Sequence, residues 1–416
     1  MLVVYTTMIV ATIGLGAILA LRGQASMAKS TSDMLEARQY ALAAIEAGRA
    51  KITADPRWRT NNANGTWINN QPVGDPTRTP SCAGTYSLTV VNPNGPLNRS
   101  DMDPVIMTAT GYKGQAVQKV QVTLVANKVP LTCLNTSLTA GSNFSVNGTI
   151  TAFNQVLATN GNATATGANI TAFTEYVGSI SGGNWLQTTT QVTKPRTLPD
   201  VTAFDFYIAN GTPINYSDVL LGLLKGCVLS PQNNPFGSQV KNPSGIYVID
   251  CLGNSISCKD FRAVGTVVLL NVGSGSDIKN SVNMISAVAN YPCLMVQGNL
   301  DIAIGATALS EATQIVNFNP GGISPPGTAS PYPWGSVNYD NDQSDSYPSV
   351  VNGLIYVSGN ITGNPSPQLS MLVAGGTISL TAPKVAFNST YYSNPPPGFY
   401  TVQMLTASNG YLQTTN

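Results

Sequence analysis

Asp340, Asp342 and Asp345 place three carboxylates within the short run DNDQSD. Oxygen-rich loops of this kind can hold Ca2+. The run lacks the Gly at position six and the distal Glu of an EF-hand loop, so it reads first as a solvated loop. Ca2+ is the single cofactor this pattern would accept, and no other is expected. The six cysteines, Cys82, Cys133, Cys227, Cys251, Cys258 and Cys293, form no CxxC pair. That spacing argues against a zinc ribbon or a thioredoxin-like site. An even number suits an oxidising compartment, and Cys251 with Cys258 is the best local candidate for a disulfide. The chain has no His, which removes the usual general base and the commonest transition-metal ligand, and with them the partner a GxSxG nucleophile needs. Glycosidases use two carboxyls at a set separation. Asp250, Asp260, Asp277 and Asp301 show no regular recurrence along the chain and read as isolated surface or corner acids. Gly273–Ser276 (GSGS) lacks the Lys and the strand-loop-helix context of a phosphate cradle and reads as a turn. No catalytic residue is assigned, and the chain is expected not to be an enzyme.

Positioning these residues falls to a chain of 416 residues, long enough for two or three domains with real cores. Charged residues are 9% of the total and the net charge is +1, so no broad field recruits nucleic acid. The 43% hydrophobic content is enough to bury a core. Eleven Asn-x-Ser/Thr sequons, including Asn64, Asn143, Asn162 and Asn360, occur in a chain so rich in Asn and Thr that many carry no meaning.

Leu2 to Leu21, LVVYTTMIVATIGLGAILAL, is uncharged and long enough to cross about 30 Å of hydrocarbon as a helix. Its length and the lack of a clear small-residue cleavage site set it apart from a signal peptide. The helical pattern continues past Arg22 without Pro, with Met34, Ala41, Ile45, Gly48 and Ile52 on one stripe. The first half therefore wants an apolar environment and the second a partner on one face. An ordinary membrane anchor with a helical stalk meets the same hydropathy rule.

The apolar start with Leu2, Val3 and the run Met8, Ile9, Val10, then Gly14, and above all RQYALAAIEAGRAKI from Arg38 to Ile52 with Ala41, Ile45, Glu46 and Gly48, resemble the N-terminal helix of type IV pilin-like proteins. The nearest likeness is to minor pilins of the PilX kind and the K-type minor pseudopilin of type II secretion, over about sixty residues. The resemblance implies insertion in the inner membrane, assembly with other pilin-like subunits or copies of itself, and display outside the cytoplasm. Family members are made with a short basic leader, which this sequence does not show, so two alternatives stand: a mature chain, or one with a mis-set start. Tyr5 stands where shaft subunits carry Glu, which implies a tip or accessory subunit.

Beyond Asp55-Pro56, where the helix must end, Thr85–Val91 and the runs Pro104–Thr110 and Gln115–Asn127, joined by Gly-Tyr-Lys-Gly, read as strands and a hairpin. Residues 1–54 are thus a long helix, with 2–21 as its membrane or filament-core part, and 55–130 a small antiparallel β head.

From Cys133 onward short patterns return. Ile-Thr-Ala-Phe occurs at Ile150 and again at Ile170, Val296-Gln-Gly-Asn-Leu300 resembles Val357-Ser-Gly-Asn-Ile361, Gly245-Ile-Tyr-Val echoes Leu354-Ile-Tyr-Val, and Leu372–Ile378 is a near relative. Like residues at a period of about twenty are what stacked coils reward. Residues 131–394 are therefore expected to be a β-solenoid, a right-handed β-helix, in which Ile150, Phe153, Ile170 and Phe173 stack in one core. An antiparallel sandwich is the competing fold. A helical insertion is expected at about 199–226, a Pro- and Asp-rich loop at 321–349, and a tail at 395–416 that closes or covers the last rung. The fold class is mainly β behind one long helix. The function expected is a non-enzymatic, membrane-anchored envelope subunit of a pilus or type II secretion system, displaying the coil for adhesion to surface glycans or for subunit contact. The alternative is an envelope-tethered carbohydrate-active or carbohydrate-binding β-helix. A virus-like fibre is disfavoured by the apolar start. Acids converging with Lys or Arg in one groove would mark an enzyme, and uniform Asn, Thr and Ser ladder faces a scaffold.

Overall fold

Leu2–Ala54 is one continuous helix (α1) in the computed structural model, which describes residues 2–55, 57–73, 83–152, 155–319 and 343–414. The chain divides into two compact units, Met1–Val129 with Val402–Asn416, and Pro130–Thr401.

In the first unit, strands β1 (Gly65–Val73), β2 (Gly84–Val91), β3 (Val105–Lys113) and β4 (Ala116–Pro130) form a five-stranded sheet in that order, with Tyr400–Thr414 beside β4. The first three pairings are antiparallel. β3 alternates buried and half-buried residues along its whole length, the period of a strand with one face on a core. That face, with Leu88, Val90, Val105, Met107 and Ala109, packs on Ala41, Ala44 and Ile45 of α1. The buried stripe of the helix begins at Ala37, whereas Met34 is exposed. Lys113 ties the hairpin to α1 through Glu36 (2.9 Å).

Two expectations are corrected here. Gly111-Tyr-Lys-Gly114 is not the hairpin link: Lys113 pairs with Ala116, so the turn is Gly114-Gln115, with Gly114 at φ +55°. Gly111 lies within β3 because a Cβ there would strike the backbone oxygen of Ala37 and approach Ala41 N to 2.7 Å; the glycine admits the helix to the sheet. The C-terminal segment, in turn, supplies a strand to this first sheet, so 395–416 is not a tail closing the last rung.

The second unit is built on two large parallel sheets. Ten strands stack in the spatial order Thr212–Ile214, Ile246–Asp250, Thr266–Leu270, Leu294–Val296, Ile355–Val357, Leu372–Ala374, Leu138–Ala140, Val156–Thr159, Phe173–Tyr176, Thr189–Gln191. Each of the first nine is followed along the chain by a strand of the other, thirteen-stranded sheet, for example Ile361–Gly363, Ile378–Thr381, Phe144–Asn147, Ala163–Ile170 and Ile180–Trp185, which neighbour one another in that order. The inward side chains of both sheets share one core. Leu300, Ile361, Ile378, Phe144 and Ala163 form one of its columns by register.

The chain enters this stack in its middle, at Leu138, and runs outward to Thr189–Gln191. It then crosses to Thr212 at the opposite end and returns, so that Leu372–Ala374 pairs with Leu138–Ala140. The ten-stranded sheet is buried on both faces: Tyr247, Ile249, Val267 and Leu269 face the shared core, while Ile246, Val248, Val268, Met295 and Tyr356 face a second one. Such strands read as continuous apolar runs, as IYV and TVVLL do. Phe204, Tyr207, Tyr391 and Phe399 cover that outer face.

Within 199–226, the first half is helical, with Val201–Phe204 capped by Asp200 and Asp205–Asn210 following. The second half holds two short 3-10 turns, Tyr216–Asp218 and Leu220–Gly222, in place of an α-helix. Leu221 sits at φ +53° inside the second of them, and Leu223–Lys225 is a strand paired with Ser257–Lys259. Of the Ile-Thr-Ala-Phe repeat, Ile150 bridges Ile170 in parallel and both are buried. Phe173 is 38% exposed and is not a core rung; Phe153 lies outside the described residues.

Candidate functional site

Three surfaces could carry function. The first is the start of α1. Val3, Met8, Ile9, Val10 and Leu21 are exposed, and no heavy atom lies within 4 Å of a Cβ built on Gly14. Thr12 returns its hydroxyl to Met8 O at 2.7 Å and Thr6 to Val3 O at 3.0 Å, so these hydroxyls are satisfied without water. Among the described residues this is the one helix long and apolar enough to cross a membrane, with mean hydropathy 2.0 over an 18-residue window and none of that window buried. Thirty residues on, Ala41, Ile45 and Gly48 are buried against the sheet, while Glu46 points outward and pairs with Arg49 at 3.4 Å.

The second surface surrounds the base of the Pro- and Asp-rich loop. Asp340 and Asp342 lie outside the described residues. Asp345 is placed: its carboxylate accepts from Tyr347 OH at 3.4 Å, and its amide donates to Glu311 Oε2 at 3.2 Å. Glu311, fully buried, also accepts from Phe318 N at 2.5 Å. Arg262 donates to Phe318 O (3.0 Å) and Asn283 Oδ1 (3.2 Å) and stacks 4.0 Å over the Tyr347 ring. Burial drives the Tyr347 phenol well above its usual range, against the opposing pull of Arg262. Leu309–Ser310 pairs with Ser346–Tyr347, so this network fastens both ends of the segment between them. No group of three His, Cys, Asp or Glu that could hold a metal occurs among the described residues.

The third surface is the outward face of the thirteen-stranded sheet, which the sequence did not reveal. One column of side chains runs Ser257, Asp277, Asp301, Thr362, Ser379, Ser145, Thr164, Ser181 across adjacent strands. Beside it Lys225, Lys259 and Lys279 are in register, as are Thr381, Asn147 and Thr166. The expectation that the acids do not recur is corrected: Asp277 and Asp301, distant in sequence, are direct neighbours in register. Asp277 is engaged by Lys279 (2.6 Å) and Ser257 (2.5 Å), and Asp301 accepts from Thr362 at 2.7 Å. Asp250 accepts from Asn271, and Asp260 is buried beside Asn280 and Ser281.

Asparagines at the corners bond between layers. Asn299 Oδ1 accepts from Asn360 N, Asn360 Oδ1 from Thr377 N, Asn143 Oδ1 from Asn162 N, and Asn162 Oδ1 from Ser179 N, all at 2.7–3.0 Å. Three sequon asparagines, Asn143, Asn162 and Asn360, are thus rungs of a ladder. A shallow cleft of about 440 Å³ lies between Thr132, Glu175, Gln191, Lys194 and Arg196, where Arg196 clasps Glu175 at 2.5 Å.

Among the described residues no thiol is exposed. Cys133, Cys227, Cys251, Cys258 and Cys293 are buried and free. The disulfide expected between Cys251 and Cys258 is absent: Cys258 lies in the shared core on the strand Ser257–Val264, and Cys251 lies in the same core at the end of the preceding strand. Burial pushes Cys251 up to about 11, with Asp250 adding to it, and Cys227 up to about 12. Gly273–Ser276 is a turn, closed by Ser276 Oγ on Gly273 O at 2.8 Å.

These surfaces belong to a strand-rich chain with an exposed apolar N-terminal helix, an antiparallel sheet that packs on that helix's second half, and a body of parallel sheets. No protein-family profile matches the chain, and no curated protein matches it. Among solved structures it is similar to the crystal structure of the competence-associated pilin ComZ from Thermus thermophilus, at 11% identity over 92% of this chain and 97% of that chain, with a TM-score of 0.32. So low a score lends no support to any role.

Proposed function

We propose that the protein is a non-enzymatic, pilin-like subunit of the cell envelope, held in the inner membrane or in a filament core by Leu2–Leu21 and displaying a β-solenoid outside the cytoplasm. The observation that carries this reading is the division of α1: its first part exposes apolar residues along its length, while Ala37, Ala41, Ala44 and Ile45 are buried on an antiparallel sheet. A helix whose apolar surface is covered at one end only has an occupant for the other end, either lipid or the helices of neighbouring subunits. The solenoid reading draws on the alternation of strands between two parallel sheets, the registered apolar columns and the asparagine rungs. Adhesion and subunit contact then fall to the stack's polar outer face.

A second reading has one observation in its favour. Asp277 and Asp301 sit on adjacent strands, about 4.8 Å apart along the stack, close to the separation of a retaining glycosidase pair. Their engagement by Lys279, Ser257 and Thr362 on a flat face is that of structural acids. An Asp277→Asn variant separates the two, since only an enzyme would lose glycan hydrolysis.

The anchoring half is tested by Ile9→Asp with Ile13→Asp. Each charge costs about 2.5–3.5 kcal/mol at a bilayer centre, so the double variant moves from the membrane to the soluble fraction on flotation. Continued flotation of the variant with membranes would contradict the assignment.

A further inference from the structure

The outward face of the thirteen-stranded sheet changes character along the stack. Asp277, Lys279, Asp301, Lys259 and Lys225 mark one half. The other half, on Ile361–Gly363, Ile378–Thr381, Phe144–Asn147, Ala163–Ile170 and Ile180–Trp185, has no charged residue in any strand. It presents Thr362, Ser379, Ser145, Thr164 and Ser181 in one column, with Thr381, Asn147 and Thr166 in a second. Most of these side chains are exposed. Thr164 and Ser181 share one bond at 3.3 Å. Among the described residues the hydroxyls of Ser145, Ser379, Thr166 and Thr381 have no protein partner. Adjacent strands set the hydroxyls about 4.8 Å apart, and alternate residues of one strand set the two columns about 6.7 Å apart.

We propose that this uncharged half-face binds an extended, neutral, β-linked polysaccharide laid along the stacking direction, one sugar to about one strand. This rests on the reading of the unit as a displayed coil. The ligand class follows from charge and spacing. Hydroxyls and amides on strands without a carboxylate or ammonium suit a partner whose groups both donate and accept, and these five strands offer a polyanion no cation of their own, the exposed Lys384 on the next strand being the nearest along the chain. The strand spacing is close to the rise of a hexose in an extended β-linked chain, so a straight polymer stays in step over five strands whereas a coiled one does not. Each contact is weak, because the face is flat and no cavity encloses a sugar, and affinity comes from repetition along one rigid polymer. Free monosaccharides therefore bind poorly.

The test is sedimentation of the full chain, in an amine-oxide detergent without sugar groups, with microcrystalline cellulose and with chitin. Acidic pectate gel and cross-linked dextran, a flexible α-linked polymer, serve as comparisons. Retention on cellulose or chitin, at least tenfold weaker in Thr164→Glu with Ser379→Glu and preserved in Thr164→Ser, is expected. Both glutamates would be exposed, and circular dichroism confirms their folding. No retention on either polymer, retention equal in the glutamate variant, or retention on pectate alone would overturn the proposal. So would a glutamate effect confined to self-association in sedimentation velocity, since the face would then meet a second copy. None of these failures bears on membrane or filament incorporation, which flotation of the membrane fraction reads separately.

Discussion

Gly111→Ala should detach α1 from its sheet. A Cβ at residue 111 meets two backbone atoms, Ala37 O and Ala41 N, and neither can swing away as a side chain would. The helix must retreat by about 1 Å, and a gap of that order forfeits a quarter to a half of each dispersion contact. Roughly 60 close atom pairs made by Ile45 and its alanine neighbours, at about 0.15 kcal/mol each, then lose about a third of their attraction, or about 3 kcal/mol. That lies at the upper end of overpacking costs. Gly48→Ala is the internal control. Its Cβ meets Leu88 Cδ2 (2.5 Å) and Met107 Cε (2.9 Å), which are side-chain ends and not backbone, and about 1 kcal/mol of helix propensity offsets part of the crowding. Gly14→Ala meets nothing within 4 Å and should leave the contact between α1 and the sheet unchanged. Hydrogen exchange read by mass spectrometry on the full chain reports peptides from α1 and β3 apart from the second unit. Protection of residues 37–48 and 105–113 in Gly111→Ala within about 0.5 kcal/mol of wild type would refute this account of the glycine.

Glu311→Ala strands the buried amide of Phe318, at about 1–3 kcal/mol, and frees the part-buried amide of Asp345, so exchange at residues 309–319 and 343–349 should accelerate at least tenfold while α1 is unaffected. Hydrogen bonds from Asn92 and then Asn94 hold the Asp103 carboxyl below its ordinary 3.8. Its folded value is depressed, so its stabilisation is present above about pH 4 and is lost as the pH falls through the folded value; Asn92→Ala should flatten that acid loss in the 92–103 loop. The five described cysteines should resist maleimide at pH 8 in the native protein and react fully in denaturant, since burial raises all five thiols. Rapid native labelling of Cys251 or Cys258 would contradict their packing.

Local periodicity made the helix and part of the stack legible. The Val296–Leu300 and Val357–Ile361 likeness is a true adjacency, because Val296 pairs with Val357 and Leu300 with Ile361. Leu372–Ile378 is the next layer, with Ala374 on Val357 and Ile378 on Ile361. The echo of Gly245-Ile-Tyr-Val in Leu354-Ile-Tyr-Val misled: Tyr247 falls in the column of Ile355, so it faces the shared core while Tyr356 faces outward. A tetrapeptide match does not determine which face a strand buries when both faces are apolar. In the sequence Gly111 reads as turn chemistry, because its closeness to Ala37 depends on a helix more than sixty residues earlier. The Asp277–Asp301 register was hidden for a similar reason, since the connection between their strands is longer than the coil repeat. Nor does chain order disclose that the stack is entered at its middle; only the pairing of Leu372–Ala374 with Leu138–Ala140 does so.

The most direct test of the central claim is an immunoblot of a C-terminally tagged chain in sheared surface filaments and in membranes, with and without the host's prepilin peptidase. A processed filament subunit appears in the sheared fraction only when the peptidase is present. Retention in membranes under both conditions, with none in the sheared fraction, would contradict pilin-like assembly and leave a plain anchored stack.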